Sequence, residues 1–111
     1  MVIALPVFGS QISPRFDCAE TFLLAIVKRQ MIEQVSYLPM KEKNLLQRIK
    51  KLSSWKVDKI ICDGIDDFSL RLLSDLEIQV IPWITGNAQQ ALEEFLSRVE
   101  VIKECKEKEE I

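Results

Sequence analysis

Histidine is absent from this chain of 111 residues, and glycine and proline are scarce, at three and four. Without an imidazole there is no Ser-His-Asp or Cys-His catalysis, and the commonest metal ligand is missing too. The glycines Gly9, Gly64 and Gly86 stand far apart and form no phosphate-cradling loop. Cysteine is limited to Cys18, Cys62 and Cys105, an odd number with no CxxC spacing. That argues against a disulfide framework and for free thiols in a reducing compartment. A dominant charge is also lacking: 15 Lys and Arg face 17 Asp and Glu, a formal net charge of −2. No overall basic field recommends nucleic acid or an anionic membrane as partner. No apolar run approaches the ~20 residues of a membrane span. The opening Met1-Val2-Ile3-Ala4-Leu5-Pro6 has no basic region of the secretory-signal kind. A soluble, cytoplasmic chain is expected.

What is present suits one compact domain, with 48% hydrophobic and 29% charged residues. Val2 to Phe8 reads as a buried strand closed by Gly9-Ser10, with Pro6 near its end, and Gln11 to Asp17 reads as a loop. Thr21–Val27 and Met31–Leu38 are β-rich runs around Lys28-Arg29-Gln30, a hairpin whose turn residues are not the favoured ones. From Lys41 the period becomes helical, with Leu45, Leu46, Ile49 and Leu52 on one face and the lysines and Arg48 on the other. Val57–Cys62 and Ile78–Pro82 are two further buried strands. Between them Asp66 or Asp67 caps a helix containing Leu70, Leu72, Leu73 and Leu76. Asn87 and Gln90 open a last helix whose stripe is Ala88, Ala91, Leu92, Phe95, Leu96 and Val99. Trp55 and Trp83 flank strands and are expected to cover core edges. Residues 1–100 form the expected domain, and 101–111 a charged C-terminal extension.

The order predicts an α/β domain: a mixed five-stranded sheet flanked by helices, with a ribonuclease-H-like topology. Ligands of such sheets gather beyond the carboxyl ends of the parallel strands. Those ends are the Gly9–Asp17 loop, the Cys62–Asp66 turn and the Trp83–Asn87 turn.

The same three turns carry a resemblance. Ala4-Leu5-Pro6-Val7-Phe8 followed by Ile12-Ser13-Pro14-Arg15-Phe16-Asp17-Cys18-Ala19-Glu20 resembles the N-terminal signature of the dinitrogenase iron–molybdenum cofactor biosynthesis family. That family includes NifX, NafY and the C-terminal domain of NifB. Val57-Asp58-Lys59-Ile60-Ile61-Cys62-Asp63-Gly64-Ile65, Ile78-Gln79-Val80-Ile81-Pro82 and the Ala91–Leu96 helix continue the likeness in order, from residue 2 to about residue 97. Where relatives often have Gly-Gly-Ile-Gly after the strand cysteine, this chain has Asp63-Gly64-Ile65-Asp66. The resemblance implies a ribonuclease-H-like fold and a non-catalytic carrier of iron–sulfur or iron–molybdenum type clusters, or their precursors. Its partners would be metallocluster donor or acceptor proteins, and this chain looks like a stand-alone small member related to nitrogen-fixation proteins.

Cys18 and Cys62 are the candidate ligands, since in the expected topology both thiols face one mouth, and thiolates select soft metals and iron–sulfur edges. The plainer use of Cys62 is as a small buried hydrophobe. Two thiols are too few for a Cys₄ site, so a homodimer, a ligand carried by the cargo or noncovalent cradling would supply the rest. Arg15 and Ser13 are candidate contacts to an anionic cargo, with an exposed pair to Asp17 as the alternative for Arg15, and Gly64 would shape the loop. Asp63, Asp66 and Asp67 could hold Mg²⁺ for a hydrolase or nuclease, but Val2–Phe8 supplies no acid to join them. A protein-interaction or regulatory module that keeps the fold without cargo is the other alternative.

Overall fold

The computed structural model describes residues 1–98. The expected charged extension, Val99 and Cys105 therefore lie outside the described residues. Strand β1 (Val2–Phe8) is central and pairs with β3 (Thr21–Lys28) antiparallel and with β5 (Lys59–Ile61) parallel. Outward from these lie β4 (Met31–Pro39) beside β3 and β6 (Gln79–Ile81) beside β5, in the order β4-β3-β1-β5-β6. The α/β class and the mixed sheet are as expected, but the sheet has six strands, not five. The sixth is β2 (Gln11–Ile12), read from sequence as loop, which folds back on β1 through Val7↔Ile12 and Phe8↔Gln11. Gly9, at φ +62°, makes the sharp turn, and Ile12 is buried while Gln11 stays in solvent. Two residues are too few for periodicity to announce a strand.

Period-two alternation sends β1 side chains to two separate core layers. Ile3, Leu5 and Val7 meet Leu23, Ala25 and Val27 of β3 under Ala88, Ala91, Leu92 and Leu96 of helix α3 (residues 88–98). Ala4 belongs to the opposite layer, with Phe22, Ile60 and Cys62, covered by Ile49 and Leu52 of helix α1 (Leu45–Ser54) and Leu73 of helix α2 (Asp67–Asp75). The helices begin where their caps dictate. Asn44 accepts from Leu46 and Gln47 N–H, Asp66 from Ser69, and the Asn87 side chain from Gln90 N–H at 3.0 Å. Pro6 is tolerated in the central strand because the β5 register stops at Ala4, so its ring interrupts no ladder there. Among the described residues, no helix is long and apolar enough to cross a membrane.

Arg48 departs from its expected place on the polar face of α1: it is 4% exposed. Arg48 lies three residues after Leu45 and four before Leu52, on the edge of the apolar stripe. Trp55 packs edge-on against Phe22, with centroids 6.3 Å apart, as a core cover should. Trp83 does not: it is 71% exposed and sits at φ +64°, its N–H donating to Asp63 O.

Candidate functional site

The three turns at the carboxyl ends of the parallel strands do converge, through backbone hydrogen bonds. Ser13 N–H donates to Pro6 O, Ile12 N–H to Gly86 O, and Ala88 N–H to Ser10 O. Arg15 and Gly64 bridge as parallel partners: Gly64 N–H donates to Pro14 O at 2.9 Å, and Phe16 N–H to Gly64 O at 2.9 Å. A β-carbon on Gly64 would stand 2.8 Å from Pro14 O, so this crossing requires glycine on steric grounds. The expected mouth is thus stitched shut along its floor, and what remains accessible lies to one side, around the 3₁₀ turn Phe16–Cys18.

This arrangement separates the two candidate thiols, a correction to the expectation of one shared mouth. Cys62 has no exposed surface and packs among Ala4, Phe16, Ile60 and Leu73. Burial, reinforced by Asp63, pushes its thiol up to about 12. A group so held is protonated at neutral pH and is a poor thiolate donor. The side chain of a strand-end residue points to one sheet face or the other, both covered by helices, and alternation from Ile60 gave Cys62 the face under α1 and α2. Cys18 is exposed. It stands where two open clefts meet, one of about 360 Å³ lined by Phe8, Ser13, Cys18 and Thr21. The other, of about 670 Å³, is lined by Asp17, Cys18, Lys41, Lys43 and Arg48.

Ser13 is 6% exposed and its hydroxyl donates to Arg15 O at 3.1 Å, which fixes the Ser-Pro-Arg turn beside Cys18. Arg15 is engaged as the plainer reading had it. Its Nε and Nη2 donate to the two carboxylate oxygens of Asp17 at 3.1 and 2.8 Å, in solvent. That pairing raises its pKa further. Structure therefore gathers Ser13, Arg15 and Cys18 on one side, with Gly64 as a buttress behind them, and leaves Cys62 in the core.

Arg48 is the residue sequence reasoning missed. Its Nη2 donates to Phe16 O at 3.0 Å and Ala19 O at 2.6 Å, and its Nη1 to Glu42 O at 3.0 Å. Burial lowers its pKa. The two carbonyls bracket Asp17 and Cys18, so one buried guanidinium ties the cysteine's turn to α1.

Of the acidic trio, Asp66 has a structural role. Asp66 accepts from Ser69 N–H at 3.2 Å and Ser69 O–H at 2.6 Å, which lowers its pKa and caps α2. Among the described residues, no group of three or more His, Cys, Asp or Glu is placed to hold a metal ion. The donor set thus suits a bare cation poorly.

By sequence, the chain matches no protein-family profile and no characterised protein. Solved structures do match. A protein from Methanocaldococcus jannaschii, provisionally described as a dinitrogenase, is similar with a TM-score of 0.73 at 16% identity, over 87% of this chain and 88% of that one. A protein from Thermotoga, provisionally described as NifB, gives 0.67 at 19% identity over 85% of each chain. The apo form of the orange protein from Desulfovibrio gigas gives 0.71 at 18%, over 86% of this chain and 87% of that one. At such identities the likeness is one of fold: the chain has the α/β fold of proteins whose names tie them to dinitrogenase and NifB.

Proposed function

We propose that the chain is a non-catalytic carrier of an iron–sulfur or iron–molybdenum type cluster, or its precursor, exchanging this cargo with the donor and acceptor proteins of metallocluster assembly. The observation that carries the reading is the exposed thiol of Cys18 at the meeting of two open clefts, held on a turn pinned by Ser13 and Arg48. Cys18 is the protein's thiolate to the cargo. Arg15, exposed to solvent, can exchange Asp17 for an anionic cluster face, because an exposed ion pair holds only weakly. Ser13 and Gly64 set the loop, and Cys62 serves the core. A single protein ligand suits transfer, since a cargo held at one point can leave. The fold shared with proteins named for dinitrogenase and NifB, and with one solved in an apo form, supports the reading. The strand order β4-β3-β1-β5-β6 likewise supports a ribonuclease-H-like topology. A cytoplasmic setting would keep Cys18 reduced.

Protein purified without oxygen and incubated with ferrous iron and sulfide should acquire stoichiometric metal and a visible charge-transfer absorbance. A second reading, a scaffold that keeps the fold without cargo, draws on the carboxylates Asp63 and Asp66 beside the turn. It would be selected by a colourless, metal-free protein that retains a tight stoichiometric protein partner.

A further inference from the structure

At the opposite, amino end of the parallel strands the β3–β4 hairpin turns over two residues, Arg29 and Gln30, between the paired Lys28 and Met31. Both turn residues are left-handed, at φ +52° and +64°. A two-residue turn with both positions at positive φ is where Asn-Gly is strongly favoured, because a β-carbon is strained there. This chain places two long side chains in that conformation instead. Strain retained where a cheaper residue would serve points to a use for the side chain.

The use is suggested by what surrounds them. Arg29 and Gln30 line an open cleft of about 570 Å³ together with Lys28, Lys59, Val27 and Leu96. Among the described residues that line it, Lys28, Arg29 and Lys59 are cationic, the Met1 ammonium adds a fourth positive group and none is acidic, in a chain of net charge −2. Lys59 is steadied by the Phe95 ring, its Nζ 5.5 Å from the centroid. Lys28 is held loosely by Glu33 at 3.7 Å, both well exposed, and such a pair yields readily to a better acceptor. Val27 and Leu96, 2% and 7% exposed, give the cleft an apolar floor.

We infer that this cleft docks a short acidic segment of a partner protein, its carboxylates meeting Lys28, Arg29 and Lys59 and an apolar side chain resting over Leu96. The observations favour a peptide over other anions. No aromatic side chain among those lining the cleft offers a base-stacking platform, and the negative whole-chain charge opposes a long polyanion. Three basic side chains, with the Met1 ammonium already donating to Val27 O, fall short of the roughly four to eight Lys or Arg of a membrane-binding cluster. Because the cleft lies at the other end of the strands from Cys18, a partner could hold the carrier there without covering its cargo face. The inference itself does not depend on any cargo.

The test uses the full chain without metal and a fluorescein-labelled decapeptide of glutamate and leucine, followed by fluorescence anisotropy. Binding should be measurable at low salt and weaken as ionic strength rises. The double variant R29N/Q30G should lose about tenfold in affinity while its melting temperature rises, by about 4 °C. K59Q, which leaves the turn untouched, should also weaken binding. A fall in melting temperature on R29N/Q30G would mean that the turn residues serve stability, and would overturn the inference. So would unchanged peptide affinity in both variants, absence of peptide binding by the wild type, or preference for a single-stranded oligonucleotide of equal charge.

Discussion

Cys18 and Cys62 begin from the same chemistry and end in opposite environments, one exposed and one buried. Cys62 closes β5 on the face covered by α1 and α2, where it has no exposed surface and its thiol is pushed up to about 12. Cys18 rides on a 3₁₀ turn outside the sheet, exposed, with its position set by a hydroxyl and a buried guanidinium. The difference teaches that a thiol near the carboxyl ends of a sheet is accessible only if the local backbone turns it outward. Strand periodicity buries one cysteine. A short 3₁₀ turn, pinned from behind, presents the other.

Substitutions on either side of this contrast have graded effects. The largest effect is expected for Arg48→Ala, which removes the donors of three backbone carbonyls, two of them around Cys18. A loss of about 3 kcal/mol in urea unfolding is predicted, with faster alkylation of Cys18 in the folded state as its turn loosens. Gly64→Ala forces a β-carbon onto Pro14 O at 2.8 Å, a backbone atom already bonded to Gly64 N–H. About 2 kcal/mol should be lost, again by denaturant titration, with the Ser13–Cys18 side of the site disturbed.

Cys62 makes a prediction about pH. Unfolded, its thiol ionises from its ordinary value of 9.0, whereas folded it keeps its proton to about 12. Unfolding therefore releases a proton in that window, so its contribution is intact below pH 9 and is lost as pH rises toward 12. The slope expected is about 1.4 kcal/mol per pH unit in ΔG of unfolding, and Cys62→Ala should flatten it. Cys18→Ser, at an exposed position, should change stability by no more than about 0.5 kcal/mol. A larger loss, measured the same way, would show that Cys18 is itself part of the packing.

The parts of the fold that repeat were legible in the sequence. The β3–β4 hairpin, the β5 and β6 runs and the three helices announced themselves by period and by caps at Asp66 and Asn87. The site was legible only as a location. Ser13, Arg15 and Cys18 share the turn that the sequence singled out, but the sequence did not separate Cys62, under helices at the end of its strand, from Cys18 on an exposed turn. Arg48 escaped because charge suggested solvent, although its spacing from Leu45 and Leu52 already put it on the apolar stripe. Its partners are backbone carbonyls, two around the short 3₁₀ turn and one at Glu42, which no side-chain pattern reports. Strand β2 escaped because two residues carry no period.

The contrast between the two thiols is tested most directly by anaerobic reconstitution with ferrous iron and sulfide, comparing wild type, Cys18→Ser and Cys62→Ala by visible absorbance and bound metal. The account predicts that Cys18→Ser abolishes loading and that Cys62→Ala, at a pH below 9, retains it. Loss with Cys62→Ala and retention with Cys18→Ser would contradict it.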